Sequence, residues 1–348
     1  LLFLIIISTL ISYTYYFNHT ALAISLIQND IKIYEDKTNL FFLINNSSPS
    51  ILFDFINILL KIGISEAQIN IILTSLTTFF SLSGIYLISK HFTSSTFFSL
   101  LMSFACVLLR KNFGDVDYPT LMFTEHTMGQ IGLSLSTLIL GLLTLKNLIY
   151  AFLFCLILLS IHLVLGAWMI GTIIFTSFFV YKKINYKKIS VLFFLIFIIS
   201  IYYFYSLTIY YDIPYEFNNK DYEEFFFYIE AHRNNYGNLN NFHIDYILKS
   251  LVLVFLIIIY LKFDQSNLDN NYHFFLKMLF VSIIFSGLIY FVYKTFPHIF
   301  PKIMIKTIPQ RFFLTHSIVG YPVILLLVYK FLEFTIKYFK LDFSYLLK

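Results

Sequence analysis

Ten stretches of this chain, each about 16 to 23 residues long, run almost without a charged side chain. Nothing else in the sequence restricts the fold so tightly. A hydrocarbon core roughly 30 Å thick takes about 20 apolar residues of helix to cross. The segments 1–16, 67–89, 93–109, 129–145, 147–163, 166–181, 189–211, 246–261, 274–293 and 313–330 meet or approach that length. The runs are continuous rather than alternating, so every backbone N–H is expected to be satisfied within its own segment, as in helices and not in a barrel. The chain therefore reads as an all-α polytopic integral membrane protein, one domain over 1–348 with about ten transmembrane helices.

Composition agrees. Apolar residues make up 59% of the chain, aromatic residues 20% and charged residues only 12%, outside the range of soluble globular domains. Leu1 to Tyr16 carries no basic flank and no small-residue cleavage site, so it reads as a retained anchor. Cys106 and Cys155 both fall within spans, which leaves no disulfide framework. A net charge of +5, split among separate loops, gives no basic run of the kind that binds nucleic acid.

Lys182, Lys183, Lys187 and Lys188 form the strongest positive-inside signal and place their loop in the cytoplasm. Alternation from there puts residues 17–66, 110–128, 212–245 and 294–312, together with the turn near His162, on the outer face. These polar loops are where a chemical site is expected.

In the first loop, Asp30, Glu35 and Asp36 could act as a general base, hold a divalent metal or simply solvate the loop. The segment 51–61, ILFDFINILLK, has Asp54, Asn57 and Lys61 at helical spacing and predicts a helix lying on the interface. The second loop carries Asp115-Val116-Asp117, whose hard oxygens could hold Mg or Mn beside a transferring phosphate or sugar. Glu125 and His126 lie just before the next span, close to membrane depth, where ionisable groups are costly, and they are candidate catalytic residues.

His162 sits in the break IHLVLG and is either a hydrogen-bonded packing residue or a substrate contact, while Trp168 reads as an interfacial anchor. In the long loop after 211, Glu230, His232 and Arg233 could form one face of a site, with Arg233 offering a bidentate fork to phosphate. The last outer loop is basic, with Lys302 and Lys306, and ends in Gln310 and Arg311 at a helix start. That arrangement points to an anionic ligand, most simply the phosphate of a lipid carrier.

A long first outer loop with acidic residues and a surface helix, a second with Asp115-x-Asp117, and later basic loops give an architecture that resembles the multi-span C-type glycosyltransferase superfamily. The resemblance implies transfer of a sugar from a polyprenyl-phosphate-linked donor to an envelope acceptor, at the outer (periplasmic) face of a bacterial inner membrane, with membrane lipids as the other partners. It implies that Asp30 or Asp36 is the base, that Asp115 and Asp117 match the second-loop acidic motif, and that Arg233 or Arg311 contacts the carrier phosphate. An envelope-glycan polymerase or ligase using His232 and Arg233 fits nearly as well. Transporters usually carry ionisable groups inside the membrane, and the spans are expected to hold mainly Ser, Thr and Gly as polar positions, which argues against that class. A non-catalytic membrane subunit stays open.

Overall fold

The structure, a computed structural model, describes residues 2–14, 22, 25, 50–108, 128–145, 148–180, 196, 198–199, 201–202, 241–264, 273–296 and 311–338. Every element among them is helical and none is a strand. In chain order the helices are α1 (Leu2–Thr14), α2 (Ile51–Lys61), α3 (Glu66–Thr93), α4 (Thr96–Leu108), α5 (Met128–Leu142), α6 (Leu148–Ile161), α7 (Leu163–Val180), α8 (Asn241–Phe263), α9 (Phe274–Thr295), α10 (Arg311–Ser317) and α11 (Gly320–Tyr338).

By length and composition, α3, α7 and α9 can cross a membrane. At 1.5 Å per residue the 28 residues of α3 extend about 42 Å. The apolar helices α1, α4, α5 and α6, of 13 to 15 residues, extend only about 20–22 Å and fall short of the hydrocarbon thickness.

Two of the expected spans differ in shape. Helix α8 begins at Asn241, five residues before the expected 246, because a first turn tolerates polar residues such as Asn241, His243 and Asp245 that an apolarity criterion rejects. The span expected at 313–330 is two helices, broken at Ile318 and Val319. Pro322 is the cause: it has no N–H to give the carbonyl four residues back, that of Ile318. The segment expected at 189–211 lies outside the described residues, apart from helical positions at Ile196, Ile198, Ile199, Ile201 and Tyr202.

Helix α3 is the hub, packing against α1, α4, α5 and α11. Its ends are well specified. Ser65 and Gln68 form a reciprocal capping box at the start, and Ser94 closes the other end in the left-handed region at φ 57°. Between α2 and α3, Gly63 (φ 86°) donates to Leu60 O and Ile64 donates to Leu59 O, a Schellman turn whose left-handed residue favours glycine.

The α3–α5 contact is built from small residues. Thr74, Thr77, Thr78, Ser81 and Gly84 of α3, and Ser134, Thr137 and Gly141 of α5, are buried at helical spacing. A Cβ on Gly141 would lie 2.6 Å from the Gly84 carbonyl oxygen, and one on Gly84 would strike the Thr137 carbonyl. Lipid tails are as apolar as leucine, so helices in a membrane associate through such close backbone approach rather than through hydrophobic drive. Helix α5 is buried on all sides from Gln130 to Gly141.

Candidate functional site

Of the residues singled out in the sequence, Asp30, Asp36, Asp115, Asp117, Glu125, His126, His232, Arg233 and Gln310 lie outside the described residues. Arg311 is the first residue of α10, and its side chain also lies outside them. Of the candidate catalytic, substrate-binding and metal-ligating residues, His162 alone is described in full. Among the described residues no three His, Cys, Asp or Glu side chains converge as a metal site, and the expected Mg or Mn pair is not among them.

His162 is the single residue between α6 and α7. Its N–H donates to Leu158 O at 2.8 Å, completing α6, and its carbonyl accepts from Gly166 N at 3.0 Å, starting α7. The ring Nδ1 accepts from Leu165 N at 3.3 Å, which is the work of an N-cap. Gly166 permits the corner, because a Cβ there would run into the Leu159 backbone. Ser50 joins this corner from α2: its hydroxyl donates to Ile161 O at 3.0 Å while also capping Leu52 N. His162 is thus engaged in the helix junction, in keeping with the packing alternative.

Helix α2 forms where the apolar-polar spacing predicts. Leu52, Phe53 and Ile56 are buried against the bundle, which α2 meets through α3 and α6. Ile51, Phe55 and Ile58 point outward, 42%, 40% and 57% exposed. Of the polar stripe, Lys61 is exposed, while Tyr202 donates its hydroxyl to Asp54 and Ser25 donates to Asn57. A carboxylate held this way is fixed in orientation, because leaving it unpaired beside apolar surface would cost several kcal/mol, roughly.

The densest polar grouping lies along α10. Phe312 stacks on Trp168 of α7 with ring centroids 4.4 Å apart, and Phe313 meets the edge of Tyr290 of α9 at 5.4 Å. His316, 1% exposed, shares a 2.9 Å hydrogen bond between Nε2 and the hydroxyl of Ser250 on α8. Its Nδ1 is buried without a hydrogen-bond partner among the described residues. Beside it, Lys249 Nζ donates to Ser317 Oγ at 3.1 Å and stands 4.6 Å from the centre of the Tyr321 ring. Gly320 makes room for the lysine stem, since a Cβ there would lie 2.8 Å from Lys249 Cδ.

Lys249, in the 246–261 segment, hydrogen-bonds Ser317, the residue after His316 in the 313–330 segment, so two ionisable groups of expected spans lie close together. The signal was present in the sequence, for Lys249 is the one charged residue in an otherwise apolar run from 246 to 261. Trp168 brings His162 and Arg311 into relation: it stacks on the neighbour of Arg311 and lies six residues, about 9 Å, along α7 from His162.

Chemically, the α10 grouping offers an ammonium and hydroxyls, which suit an anion, and a Ser–His pair at the distance of a proton transfer. The pair has no described third group to orient the imidazole at Nδ1, which a nucleophilic serine needs. The chain matches no protein-family model, no curated protein and no solved structure.

Proposed function

We propose that the chain is a ten-span membrane glycosyltransferase that takes a sugar from a polyprenyl-phosphate-linked donor and passes it to an envelope acceptor on the outer face of a bacterial inner membrane. The observation that carries this reading is α2. It follows the first acidic loop, turns Ile51, Phe55 and Ile58 outward as a lipid-facing surface, and keeps Asp54 fixed by Tyr202 on its polar stripe. A helix of that kind beside an acidic loop can support an isoprenoid chain while its headgroup reaches the loops. In this reading Asp30 or Asp36 deprotonates the acceptor, Glu125 and His126 assist proton transfer, and Asp115 and Asp117 hold Mg or Mn against the departing phosphate. His232, Arg233, Gln310 and Arg311 line the donor.

The test is mass spectrometry of the lipids that copurify with detergent-extracted wild type, Arg233→Ala and Arg311→Ala. A polyprenyl phosphate or its glycan, present in wild type and depleted by either replacement, is the expected result. Bulk phospholipid alone in all three would overturn the reading.

A second reading gains from one observation. The broken helix at Ile318–Val319, with Lys249 and His316 against it, is a transporter-like feature. Substrate-dependent flux into proteoliposomes, in the absence of any transferred sugar, would move that reading to the front.

A further inference from the structure

We infer that Asp54 of α2, oriented by Tyr202, accepts hydrogen bonds from the hydroxyl groups of a sugar carried by a lipid that lies along the outward face of the helix. The inference rests on the carrier-lipid reading and names the residue of α2 that would touch the sugar.

Asp54 stands at the border of two surfaces. On its own side of the helix it is flanked by Ile51, three residues before it, and Ile58, four residues after it, both exposed, and the adjacent Phe55 is exposed as well. Leu52, Phe53 and Ile56 turn to the bundle. The carboxylate itself is half-buried. An amphipathic ligand is met along that edge by both of its parts, apolar atoms against the isoleucines and polar atoms against the carboxylate.

The carboxylate has acceptor capacity that the protein does not use. It offers about four lone-pair positions and no proton of its own. Among the described residues the hydroxyl of Tyr202 is the one donor to Asp54, and no lysine, arginine or histidine pairs with it. Lys61, on the same stripe, is two turns further on, about 10 Å along the axis and too far for a direct pair. A charge so lightly compensated beside apolar surface is costly.

Three separate stretches of chain fix the helix that carries it. Tyr202 comes from the 189–211 segment, which leads to the loop with His232 and Arg233. Ser25, from the first outer loop, donates to Phe53 O at 3.1 Å and to Asn57, one turn from Asp54. Ser50, at the start of α2, reaches the His162 corner through Ile161 O. The carboxylate is thus held before any ligand arrives, and little freedom remains to be lost on binding.

A sugar supplies what this edge lacks: several O–H donors for an oxygen-only acceptor, and C–H faces that lie on aliphatic and aromatic side chains without stranding a polar group. A hard metal ion would take several such oxygens, and no three His, Cys, Asp or Glu side chains converge among the described residues. An organic ammonium is the competing donor, and the experiment includes one.

The experiment uses the full chain held in an amphipathic polymer free of sugar detergent. The probes are octyl glucoside, octyl galactoside and octyl mannoside below their micelle concentrations, the methyl glycoside of each, tetraethylene glycol octyl ether and octyltrimethylammonium. Carbodiimide-driven amidation of Asp54 in the wild-type chain, read by peptide mapping, should slow about threefold or more with an octyl hexoside and not with the octyl ether, since a charge-assisted contact is held only with the sugar. Glu66, an exposed acid at the start of α3, should react at an unchanged rate throughout. Binding of the same octyl hexoside, read by saturation-transfer NMR, should weaken about fivefold in Asp54→Asn, the difference between a charged and a neutral acceptor, and stay level in Glu66→Gln.

Equal protection by the methyl glycoside would support the sugar contact and overturn the part given to the lipid tail. Protection by octyltrimethylammonium alone would overturn the sugar in favour of an ammonium. Protection by none of the probes, or by the octyl ether as well as the hexosides, would overturn the inference, as would unchanged hexoside binding in a folded Asp54→Asn. If that variant does not fold, the wild-type protection decides. Hexoside protection without any copurifying polyprenyl phosphate would leave the sugar contact standing and count against the transferase reading; polyprenyl phosphate without hexoside protection would count against the Asp54 contact alone.

Discussion

Replacing Gly141 by alanine tests the α3–α5 crossing directly. The new Cβ would sit 2.6 Å from the Gly84 carbonyl oxygen, against the 3.4 Å at which ordinary contact begins, a shortfall of about 0.8 Å. Both neighbours are helix backbone, so no side chain can rotate away and the helices must part by nearly that distance. A gap of this size forfeits a quarter to a half of each dispersion contact, each worth about 0.1–0.2 kcal/mol. Taking roughly 40 atom pairs in the affected turns at about 0.15 kcal/mol each, the loss is about 1.5–3 kcal/mol, in the range measured for overpacked cores. The alanine returns up to about 1 kcal/mol of helix propensity, leaving a net destabilisation of about 0.5–2 kcal/mol. Gly171→Ala and Gly287→Ala provide the contrast, because a Cβ at either meets nothing within 4 Å and should be neutral or stabilising. Thermal unfolding followed by circular dichroism in one detergent reads the sign: Gly141→Ala should melt lower, by roughly 1–3 °C, and the controls no lower than wild type. Gly84→Ala should behave like Gly141→Ala, and the double variant should lose less than the sum, since one separation relieves both clashes. A Gly141→Ala that melts with the controls, or strictly additive losses, would refute the crossing.

Three further outcomes follow from local geometry. Ser94 holds φ 57°, so Ser94→Gly should relieve the left-handed strain and raise stability by about 0.5–1 kcal/mol, visible as a higher melting temperature. Trp168 is the chain's one tryptophan, so Phe312→Ala should red-shift and broaden its emission while costing about 0.5–1.5 kcal/mol beyond lost area; an unchanged spectrum would deny the stack. Tyr202→Phe removes the donor to the Asp54 carboxylate and should cost about 1.5–3 kcal/mol, whereas Phe55→Ala, on the outward face of the same helix, should cost well under half as much; equal losses would contradict the placement of α2.

The helices were legible because apolarity is counted along the chain and needs no partner. The runs around Leu73, Leu135, Leu159 and Met278 marked helices correctly without knowledge of what they pack against. Ends and interruptions were less legible, since they depend on hydrogen-bond geometry. Pro322 sat inside a run read as continuous, and the consequence falls four residues earlier, at Ile318, where the sequence itself has nothing unusual. Conversely, His162 and Gly166 were visible as an interruption, and the structure narrows it to one residue whose ring serves as a cap. The candidate site divides in the same way. Acidic loops are conspicuous by composition, whereas Lys249, Ser250, His316 and Ser317 become a group only when α8 is laid against α10 and α11.

That grouping contrasts with the other buried polar positions among the described residues. The polar residues at the α3–α5 contact are hydroxyls that can return a bond to their own helix, as Thr77 does to Leu73 O and Thr137 to Leu133 O. Such residues add close packing without an ion to desolvate. A structural polar group in this protein therefore has a cheap form available, and the chain uses it repeatedly. Lys249 and His316 do not take that form. Each could be replaced by threonine or leucine with less desolvation, and the pair requires Gly320, Ser250 and Ser317 around it to be accommodated at all. Lys249→Met tests that cost: the variant should melt at or above the wild-type temperature if the ammonium is a net burden to the bundle, and a lower melting temperature would show that its hydrogen bond to Ser317 and its place over the Tyr321 ring outweigh desolvation.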